Sequence, residues 1–384
     1  MKTMKLRARF LAAGLGISML TAGMISTTRA CTIFVLTDDH QALFCNNEDY
    51  SNPNTRIWFI PGGGGRYGCV YVGFDNGWAQ GGMNSEGLAF DWVAGYDEKW
   101  EPDPAMQTVL GNPSRSMLES CSNVDQAIEF YRSHRERSFS YAKTLIADRT
   151  GASVIIGAKD GHLQFEKLNQ TRGFGFGRET LAKLLSESPA PSVDNGGRIM
   201  RACVQSGQFA TKYSNIYDLK SGDVYLFPDP VQNQFVKINL SAELKKGAHY
   251  FDMHQIREQE AQPVRPLQDN MKAMPLEIYK PVPDKEPEMA KRVRRMLQDA
   301  LDGKMREEDF APATWQGIQP ASPSIQRQLI SFGPLASLTL VDRGTKDTDR
   351  SYRYRVEFQK ATLLMHFVLN AQDKVTVCDT EAMQ

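Results

Sequence analysis

The chain has 384 residues, of which 41 % are hydrophobic and 23 % charged, and its formal net charge is +0. These values are typical of a folded protein long enough for two domains of roughly 150 residues each. The first thirty residues carry five basic side chains and no acidic one, so the remainder has 40 basic and 45 acidic residues. This balance excludes the basic surface of a nucleic-acid-binding protein, and no nucleic-acid partner is expected.

The first thirty residues have the pattern of an export signal peptide. A basic stretch is followed by an apolar run over residues 10–25 and by small residues at Thr28 and Ala30. We expect cleavage after Ala30 and a periplasmic or secreted mature protein. Thr28 and Arg29 stand where a lipoprotein site has a leucine-like and a small residue, so a lipoprotein anchored at Cys31 is the less favoured alternative. No other apolar run approaches the roughly 18 residues of a membrane helix, so no stable membrane span is expected.

The cysteine that follows the predicted cleavage site is a candidate nucleophile. Cleavage after Ala30 would leave Cys31 with a thiol and a free α-amine on the same residue. A cysteine thiol is only slightly ionised at neutral pH, whereas an α-amine, with a pKa of about 7.7 to 8.0, can accept its proton. A mature N-terminal Cys31 would therefore combine a nucleophile and a base.

The next segments predict a hairpin that returns to this cysteine. Residues 31–36 and 42–45 have strand composition and are separated by a polar turn, so the polar residues 46–49 should lie close to the Cys31 thiol. A carboxylate at Asp49 could hold the α-ammonium group in position. The alternative is that residues 46–49 are simply a polar strand end.

The remaining pattern predicts an α+β fold in which antiparallel sheets carry packed helices. Residues 81–89 predict a further hairpin, and the glycine run 62–65 predicts a turn, because it lacks the Lys-Ser/Thr of a phosphate-binding loop. The other predicted strands are 57–60, 70–74, 141–147, 153–158, 162–167, 213–219, 223–227, 235–240, 338–341, 352–358, 363–369 and 375–378. The predicted helices are 116–120, 123–134, 178–185, 197–209 and 288–301, with Ser122 and Asp125 resembling a capping box at the second of them.

Composition divides the chain into four parts. A signal peptide over 1–30 precedes a catalytic domain over 31–262, a proline-rich linker over 263–287 and a small α+β domain over 288–384, whose role the sequence does not indicate. The six cysteines show no CxxC or Cys/His spacing, so neither a metal site nor a cofactor is expected. Cys45 and Cys69 could form a disulfide in an oxidising compartment, and are otherwise small buried hydrophobic residues.

Several motifs together resemble a known enzyme family. They are Cys31-Thr32 at a processed N-terminus, Phe-Cys-Asn-Asn-Glu-Asp over 44–49 and Gly-Met-Asn-Ser-Glu-Gly-Leu over 82–88. Segments 197–201, 211–213 and 223–226 follow in the expected order. Over residues 31–240 the chain resembles the choloylglycine hydrolase and penicillin V acylase group, linear-amide C–N hydrolases of the N-terminal nucleophile superfamily.

This resemblance implies a four-layer αββα fold and an acyl-enzyme that is resolved by water. It implies that Cys31 attacks the amide carbonyl, that Asp49 orients the α-amine and that Arg198 lies near the thiol. No cofactor is implied.

The chain also departs from the family pattern. Asn46 replaces an arginine of the bile-salt hydrolases, and we expect it to be a polar neighbour of the thiol. Ala94 stands at the position of an oxyanion-hole asparagine or tyrosine, and residues 174–177 contain no second asparagine, Asn169 being the nearest. Losing one oxyanion donor costs about a hundredfold in rate, so bile salts and penicillin V are not the expected substrates.

The sequence therefore predicts an exported cysteine hydrolase that cleaves a non-peptide linear amide, such as an N-acyl amino acid, an acyl-amine or the side-chain amide of a β-lactam. An acyltransferase on the same scaffold, or a non-catalytic envelope binding protein or lipoprotein, is the alternative. The partner is a small-molecule amide substrate, and a homo-oligomer is compatible with the sequence.

Overall fold

The structure is a computed structural model that describes residues 31–103, 105–109, 111–207, 209–232, 234–259, 263–268, 271, 279–346 and 348–383. The predicted signal peptide, residues 1–30, and parts of the predicted linker lie outside the described residues. The division into domains stays a prediction.

Fifteen strands in the described part of residues 31–268 form two antiparallel sheets. In chain order they are Thr32–Thr37 (β1), Ala42–Asp49 (β2), Thr55–Ile60 (β3), Cys69–Phe74 (β4), Ala79–Asn84 (β5), Ala89–Ala94 (β6), Ala142–Ala147 (β7), Ser153–Lys159 (β8), His162–Leu168 (β9), Arg172–Gly175 (β10), Thr211–Asp218 (β11), Asp223–Phe227 (β12), Val236–Asn239 (β13), His249–Asp252 (β14) and Arg265–Pro266 (β15). The first sheet has the order β10-β1-β2-β11-β12-β13, and the second has the order β15-β14-β3-β4-β5-β6-β7-β8-β9. The hairpins at residues 31–49 and 81–89 are confirmed, whereas β10, β14 and β15 were not predicted.

Helices cover the outer faces of these sheets. Those on the outer faces are Pro113–Ser120 (α1), Val124–Ser133 (α2), Arg178–Ser186 (α3) and Val193–Ala202 (α4). The short helices Leu240–Leu244 (α5) and Ile256–Gln259 (α6) pack instead with apolar residues between the sheets. One buried cluster joins α1 and α2 to the second sheet, and another joins α3 and α4 to the first sheet. A third cluster lies between the two sheets. The layers are therefore α, β, β and α, and the predicted α+β fold class with four layers is confirmed.

The local capping residues explain where two predicted helices were wrong. Asn123, not Ser122, caps α2 and accepts a hydrogen bond from the Gln126 N–H. Helix α4 begins four residues before the predicted start because Ser192 caps it, and it ends seven residues before the predicted end. Gly196 in α4 allows close packing on the first sheet, since a Cβ there would lie 2.8 Å from Cδ1 of Ile216.

A third sheet lies in the C-terminal part of the chain with its own buried core. Its helices are Pro287–Leu301 (α7), Pro312–Ile318 (α8) and Ser322–Ser331 (α9), and its strands, in spatial and chain order, are Leu335–Lys346 (β16), Asp349–Phe358 (β17), Thr362–Leu369 (β18) and Val375–Met383 (β19). The predicted helix at 288–301 and the four-stranded meander are confirmed, while α8 and α9 were not predicted. None of the helices in the described part of the chain has the length and apolar character needed to cross a bilayer.

The C-terminal sheet contacts the end of β2. The Tyr50 hydroxyl, one residue beyond β2, donates to Oδ2 of Asp379 at 3.3 Å. Arg327 of α9 forms an ion pair with Asp97 after β6. These contacts lie at the carboxyl ends of β2 and β6.

The six cysteines are all free thiols. Cys45 lies in the first sheet and packs toward α3 and α4, whereas Cys69 lies in the second sheet and packs toward α1 and α2. Of the two alternatives left open for Cys45 and Cys69, the structure therefore has the second, in which both are buried hydrophobic side chains.

Candidate active site

Cys31 lies immediately before β1, with its side chain between the two sheets and only 8 % exposed. Its carbonyl oxygen accepts a hydrogen bond from the Phe176 N–H at 3.0 Å, and the Thr32 hydroxyl donates to the Phe176 carbonyl at the same distance. Strand β1 thus holds Cys31 against the segment that follows β10. The thiol has a fixed position at one end of the central layer.

The alternation of β2 decides which polar residues reach this thiol. Thr32 pairs with Asn47, so Glu48 is the next residue along β2, opposite Cys31. Because side chains alternate along a strand, Asn46 and Glu48 point between the sheets, with Cys31, while Asn47 points toward the helices. Accordingly, the Asn47 amide donates to the carbonyl of Met200 in α4 at 2.8 Å.

Two groups of β2 contact the sulfur. The Cys31 thiol donates to Oε1 of Glu48 at a Sγ–Oε1 distance of 3.4 Å, and the Asp49 N–H donates to Sγ at 3.5 Å. Burial raises the pKa of the Cys31 thiol well above its ordinary value, and the charges of Glu48, Asp49 and Asp91 raise it further. With Cys31 still joined to Ala30, the thiol is therefore neutral.

Asp49 ends β2 and is 7 % exposed. Its Oδ1 accepts a hydrogen bond from the Thr211 hydroxyl at 2.6 Å, while its buried Oδ2 has no hydrogen-bond partner among the described residues. Burial raises the pKa of Asp49 to about 8, against the opposing effects of the Thr211 hydrogen bond and the Lys212 charge. A cation beside Oδ2 would stabilise the ionised form.

Asp91 of β6 brings a third carboxyl group from the opposite sheet. It is fully buried, and its Oδ1 accepts a hydrogen bond from the Trp92 N–H at 2.6 Å. The neighbouring strand makes room for it with Gly81, because a Cβ at that position would lie 2.1 Å from Oδ2 of Asp91. Burial raises the pKa of Asp91 well above its ordinary value, and the charge of Glu48 adds to this effect.

Glu48 is the carboxyl group closest to the sulfur and is 4 % exposed. Burial and the neighbouring charge of Asp49 raise its pKa to about 8, although interactions with the Cys31 thiol and the Asn46 amide oppose this shift. Around neutral pH, Glu48 therefore carries a proton for much of the time. Such a group readily changes its charge when another ion comes near.

More polar groups lie in the same layer. The Asn46 amide donates to Oδ1 of Asn215 at 3.5 Å, across β2 and β11. Several buried polar atoms have no hydrogen-bond partner among the described residues: Asn46 Oδ1, Glu48 Oε2, Asp91 Oδ2, Asn215 Nδ2, and the hydroxyls of Tyr213 and Tyr217. Native structures satisfy most buried polar groups, so this concentration marks the layer as a candidate site.

The structure brings three of the four predicted site residues together. Cys31 and Asn46 point between the sheets, and Asp49 contacts Sγ through its backbone N–H, while its side chain, which shares the face of Asn47, accepts from Thr211. Arg198 does not join them, because it is exposed on α4, on the helix side of the first sheet, with its guanidinium 3.9 Å from the Glu187 carboxylate. The expectation that Arg198 lies near the thiol is therefore wrong.

Sequence reasoning placed residues 46–49 near the thiol but gave Glu48 no role of its own, and it missed Asp91. Glu48 follows Asn46 by two residues in a strand and therefore shares its face, a signal that the alternation alone provides. Asp91 interrupts the apolar strand Ala-Phe-Asp-Trp-Val, and a single carboxyl group in such a strand is unusual enough to suggest a function. Asn169 lies far from the site, beside Gly151 and the Thr37 end of β1.

Four aromatic side chains pack partly buried against the central layer: Tyr50, Tyr96, Phe174 and Phe176. Phe174 pairs with Ile33 in β1, and Phe176 is hydrogen-bonded to Cys31. They provide apolar surface near the polar cluster. Within the described residues, no three His, Cys, Asp or Glu side chains are arranged to hold a metal ion.

Two solved structures show what the chain is similar to. Penicillin V acylase from Agrobacterium tumefaciens aligns with 62 % of this chain and 99 % of its own, at 12 % identity and a TM-score of 0.47. A mutant of conjugated bile acid hydrolase from Clostridium perfringens aligns with 58 % of this chain and 96 % of its own, at 15 % identity and a TM-score of 0.42. No protein-family model and no curated protein sequence matches the chain. At such low identities neither likeness assigns a function, which has to come from the chain's own residues.

Proposed function

We propose that the chain is an exported cysteine hydrolase of the N-terminal nucleophile type, which cleaves a non-peptide linear amide through an acyl-enzyme on Cys31. The observation that carries this proposal is the buried thiol of Cys31, to which the Asp49 N–H donates while the Asp49 carboxyl group keeps one oxygen unpartnered. This thiol directly follows a segment with the pattern of an export signal.

Cleavage after Ala30 supplies a positive charge next to the carboxyl groups that surround the thiol. It converts the amide nitrogen of Cys31 into a free α-amine, which becomes an α-ammonium group when it takes the thiol proton, and Asp49 is the carboxylate that orients it. The positive charge lowers the pKa values of the thiol and of the nearby carboxyl groups, since an opposite charge favours each ionised form. The export step and the activation step would then be the same cut.

The reaction follows from this arrangement. The α-amine accepts the thiol proton, Sγ attacks the amide carbonyl carbon, and the C–N bond breaks as the α-ammonium returns the proton to the leaving nitrogen. Water then attacks the thioester while the α-amine accepts one of its protons. The C–S bond breaks, Sγ is protonated again, and a carboxylic acid is released.

A panel of linear amides tests the proposal. Mature protein, with Cys31 shown by mass spectrometry to be the first residue, should hydrolyse at least one amide, and Cys31→Ala should reduce the rate to background. Cys45→Ala is the matched control, because Cys45 is equally buried but packs on the helix side of the same sheet. Equal turnover by the mature protein and Cys31→Ala would exclude the mechanism.

Three other outcomes identify the alternatives. Transfer of the acyl group to an added amine in preference to water would indicate an acyltransferase. A lipid on Cys31, or a mature N-terminus elsewhere, would indicate a lipoprotein or binding protein instead. Full activity in protein that retains Ala30 would exclude the α-amine as the base.

A further inference from the structure

Glu48 and Asp91 approach the thiol from opposite sheets. Glu48 lies on β2 of the first sheet, with Oε1 3.4 Å from Sγ of Cys31, and Asp91 lies on β6 of the second sheet. Each charge acts on the Cys31 thiol, and that of Glu48 also acts on Asp91. The two carboxyl groups therefore lie on opposite sides of the central layer, beside the nucleophile.

The cluster contains more acidic groups than nearby cations. In the described part of the chain, no Lys, Arg or His forms an ion pair with Glu48, Asp49 or Asp91, and the Lys212 charge acts on Asp49. The α-ammonium of mature Cys31 adds one positive charge, which the proposed function assigns to Asp49. Glu48 and Asp91 then keep unpartnered carboxyl oxygens in a buried layer, where an isolated charge is costly.

Neutral polar atoms without hydrogen-bond partners among the described residues also indicate that the central layer binds a ligand. Tyr213 and Tyr217 are fully buried with unpartnered hydroxyls, and the charges of Glu48 and Asp91 act on both tyrosines. Asn46 has an unpartnered Oδ1 on the same face as Glu48. Carboxyl, amide and hydroxyl oxygens are the acceptors that an ammonium group needs for its three N–H bonds.

We propose that Glu48 and Asp91 form a subsite for a protonated amine on the acyl part of the substrate, two or three bonds from the scissile carbonyl. This inference rests on the proposed function. The acyl carbon bonds to Sγ, so substituents close to that carbon come within reach of Glu48, whereas the leaving group departs. The substrates are then cationic amides, such as those of amino acids with a free amine, and amides with an anionic acyl group are excluded.

The residue at position 46 agrees with this assignment. An arginine there would point into the same layer as Glu48 and would pair with it, but Asn46 is neutral. Glu48 therefore remains available to a charged substrate. Charge complementarity of this kind selects one substrate class by making the opposite class unfavourable.

Three substrates with one leaving group test the subsite. They are the p-nitroanilides of β-alanine, propionic acid and succinic acid, whose acyl groups are cationic, neutral and anionic. We expect kcat/KM for the β-alanyl substrate to exceed that for the propionyl substrate by about tenfold or more, and the succinyl substrate to be the poorest. Glu48→Gln and Asp91→Asn should each reduce the β-alanyl to propionyl ratio.

Glu136→Gln is the matched control, because Glu136 is a buried carboxyl group outside the site whose Oε1 accepts from the Ser138 N–H. It should leave the ratio unchanged. Equal kcat/KM values for the three substrates would overturn the subsite and leave the hydrolase standing. A ratio that survives both site substitutions would overturn the assignment to Glu48 and Asp91, and preference for a propionyl amide with a cationic leaving group would overturn the acyl placement.

Calorimetry separates this inference from the proposed function. If the mature protein hydrolyses no amide, the proposed function fails, but binding to the Cys31→Ala variant still compares β-alanyl with propionyl amide. Tighter binding of the β-alanyl amide, lost in Cys31→Ala/Glu48→Gln, supports the subsite. Equal affinity for the two amides, or binding of neither, overturns it.

Discussion

Two buried glutamates of the N-terminal part of the chain have opposite surroundings. Glu119 of α1, 5 % exposed, accepts hydrogen bonds from Arg115 at 2.7 Å, Arg66 at 2.9 Å and the Tyr71 hydroxyl at 3.1 Å. Glu48 is equally buried, yet its neighbours are the Cys31 thiol, the Asn46 amide and other carboxyl groups. Glu119 has its cationic partners within the folded chain. Glu48 has none among the described residues, so its ionisation depends on a cation that comes from elsewhere.

This difference separates a structural role from a functional one. A buried charge with two guanidinium partners holds elements together, and its loss leaves unpaired cations behind. A carboxyl group held at a pKa of about 8 next to a thiol stabilises little, but it responds to a new cation. The following substitutions test whether the two clusters differ in this way.

Substitution of Asp49 should have the largest effect, and the property it changes is the catalytic activity. Asp49→Asn keeps an oxygen for the Thr211 hydroxyl but removes the charge that orients the α-ammonium, so kcat/KM should fall about a hundredfold or more. Rates on any amide that the mature protein hydrolyses measure this, with circular dichroism and the Tm as checks of the fold. Thr211→Val keeps the charge and removes the hydrogen bond, so it should have the smaller effect. Undiminished hydrolysis by Asp49→Asn would show that Asp49 does not orient the α-amine.

The second test compares the two glutamates in unfolding. Glu119→Gln should lower the free energy of unfolding by about 3 kcal/mol, because Arg115 remains buried without its counter-charge. Glu48→Gln should leave it unchanged or raise it, since the amide replaces a carboxyl group that has no cationic partner. Urea denaturation at pH 7 of both variants measures the difference. A similar loss in both variants would contradict the contrast between the clusters.

The third test is the pH dependence of stability while the leader is still attached. The pKa of Glu48 in the folded chain, about 8, lies above its unfolded value of about 4.3, so the folded state binds more protons between these values. The contribution of Glu48 is fully present below about pH 4 and is lost as the pH rises through about 8. Thermal unfolding at several pH values should show a shallower decline in Glu48→Gln than in the parent chain. Parallel declines would mean that Glu48 does not titrate in this range.

The site was predictable from the sequence to the extent that it is local. Cys31 and Asp49 belong to one hairpin, and a short turn between alternating strands fixes their proximity. Asp91 comes from the other sheet, so its meeting with Glu48 depends on how two sheets pack, which no local pattern encodes. In the C-terminal part, Pro312 and Pro323 occupy the first turns of α8 and α9, where proline is tolerated, although proline elsewhere signals a break.

The smallest expected effect is at Arg198, the predicted site residue that the fold places elsewhere. Which face of α4 meets the first sheet decides its position, and Ile199 and Met200 occupy that face while Arg198 is exposed. Its 3.9 Å contact with Glu187 joins two side chains that are each about half exposed, and pairs of this kind contribute roughly 0 to 1 kcal/mol. Arg198→Ala should therefore change the free energy of unfolding by less than about 1 kcal/mol and leave kcat/KM unchanged, as steady-state rates on the same amide will show. A loss approaching that of Asp49→Asn would mean that α4 reaches the thiol during catalysis, and the separation between helix layer and central layer would have to be abandoned.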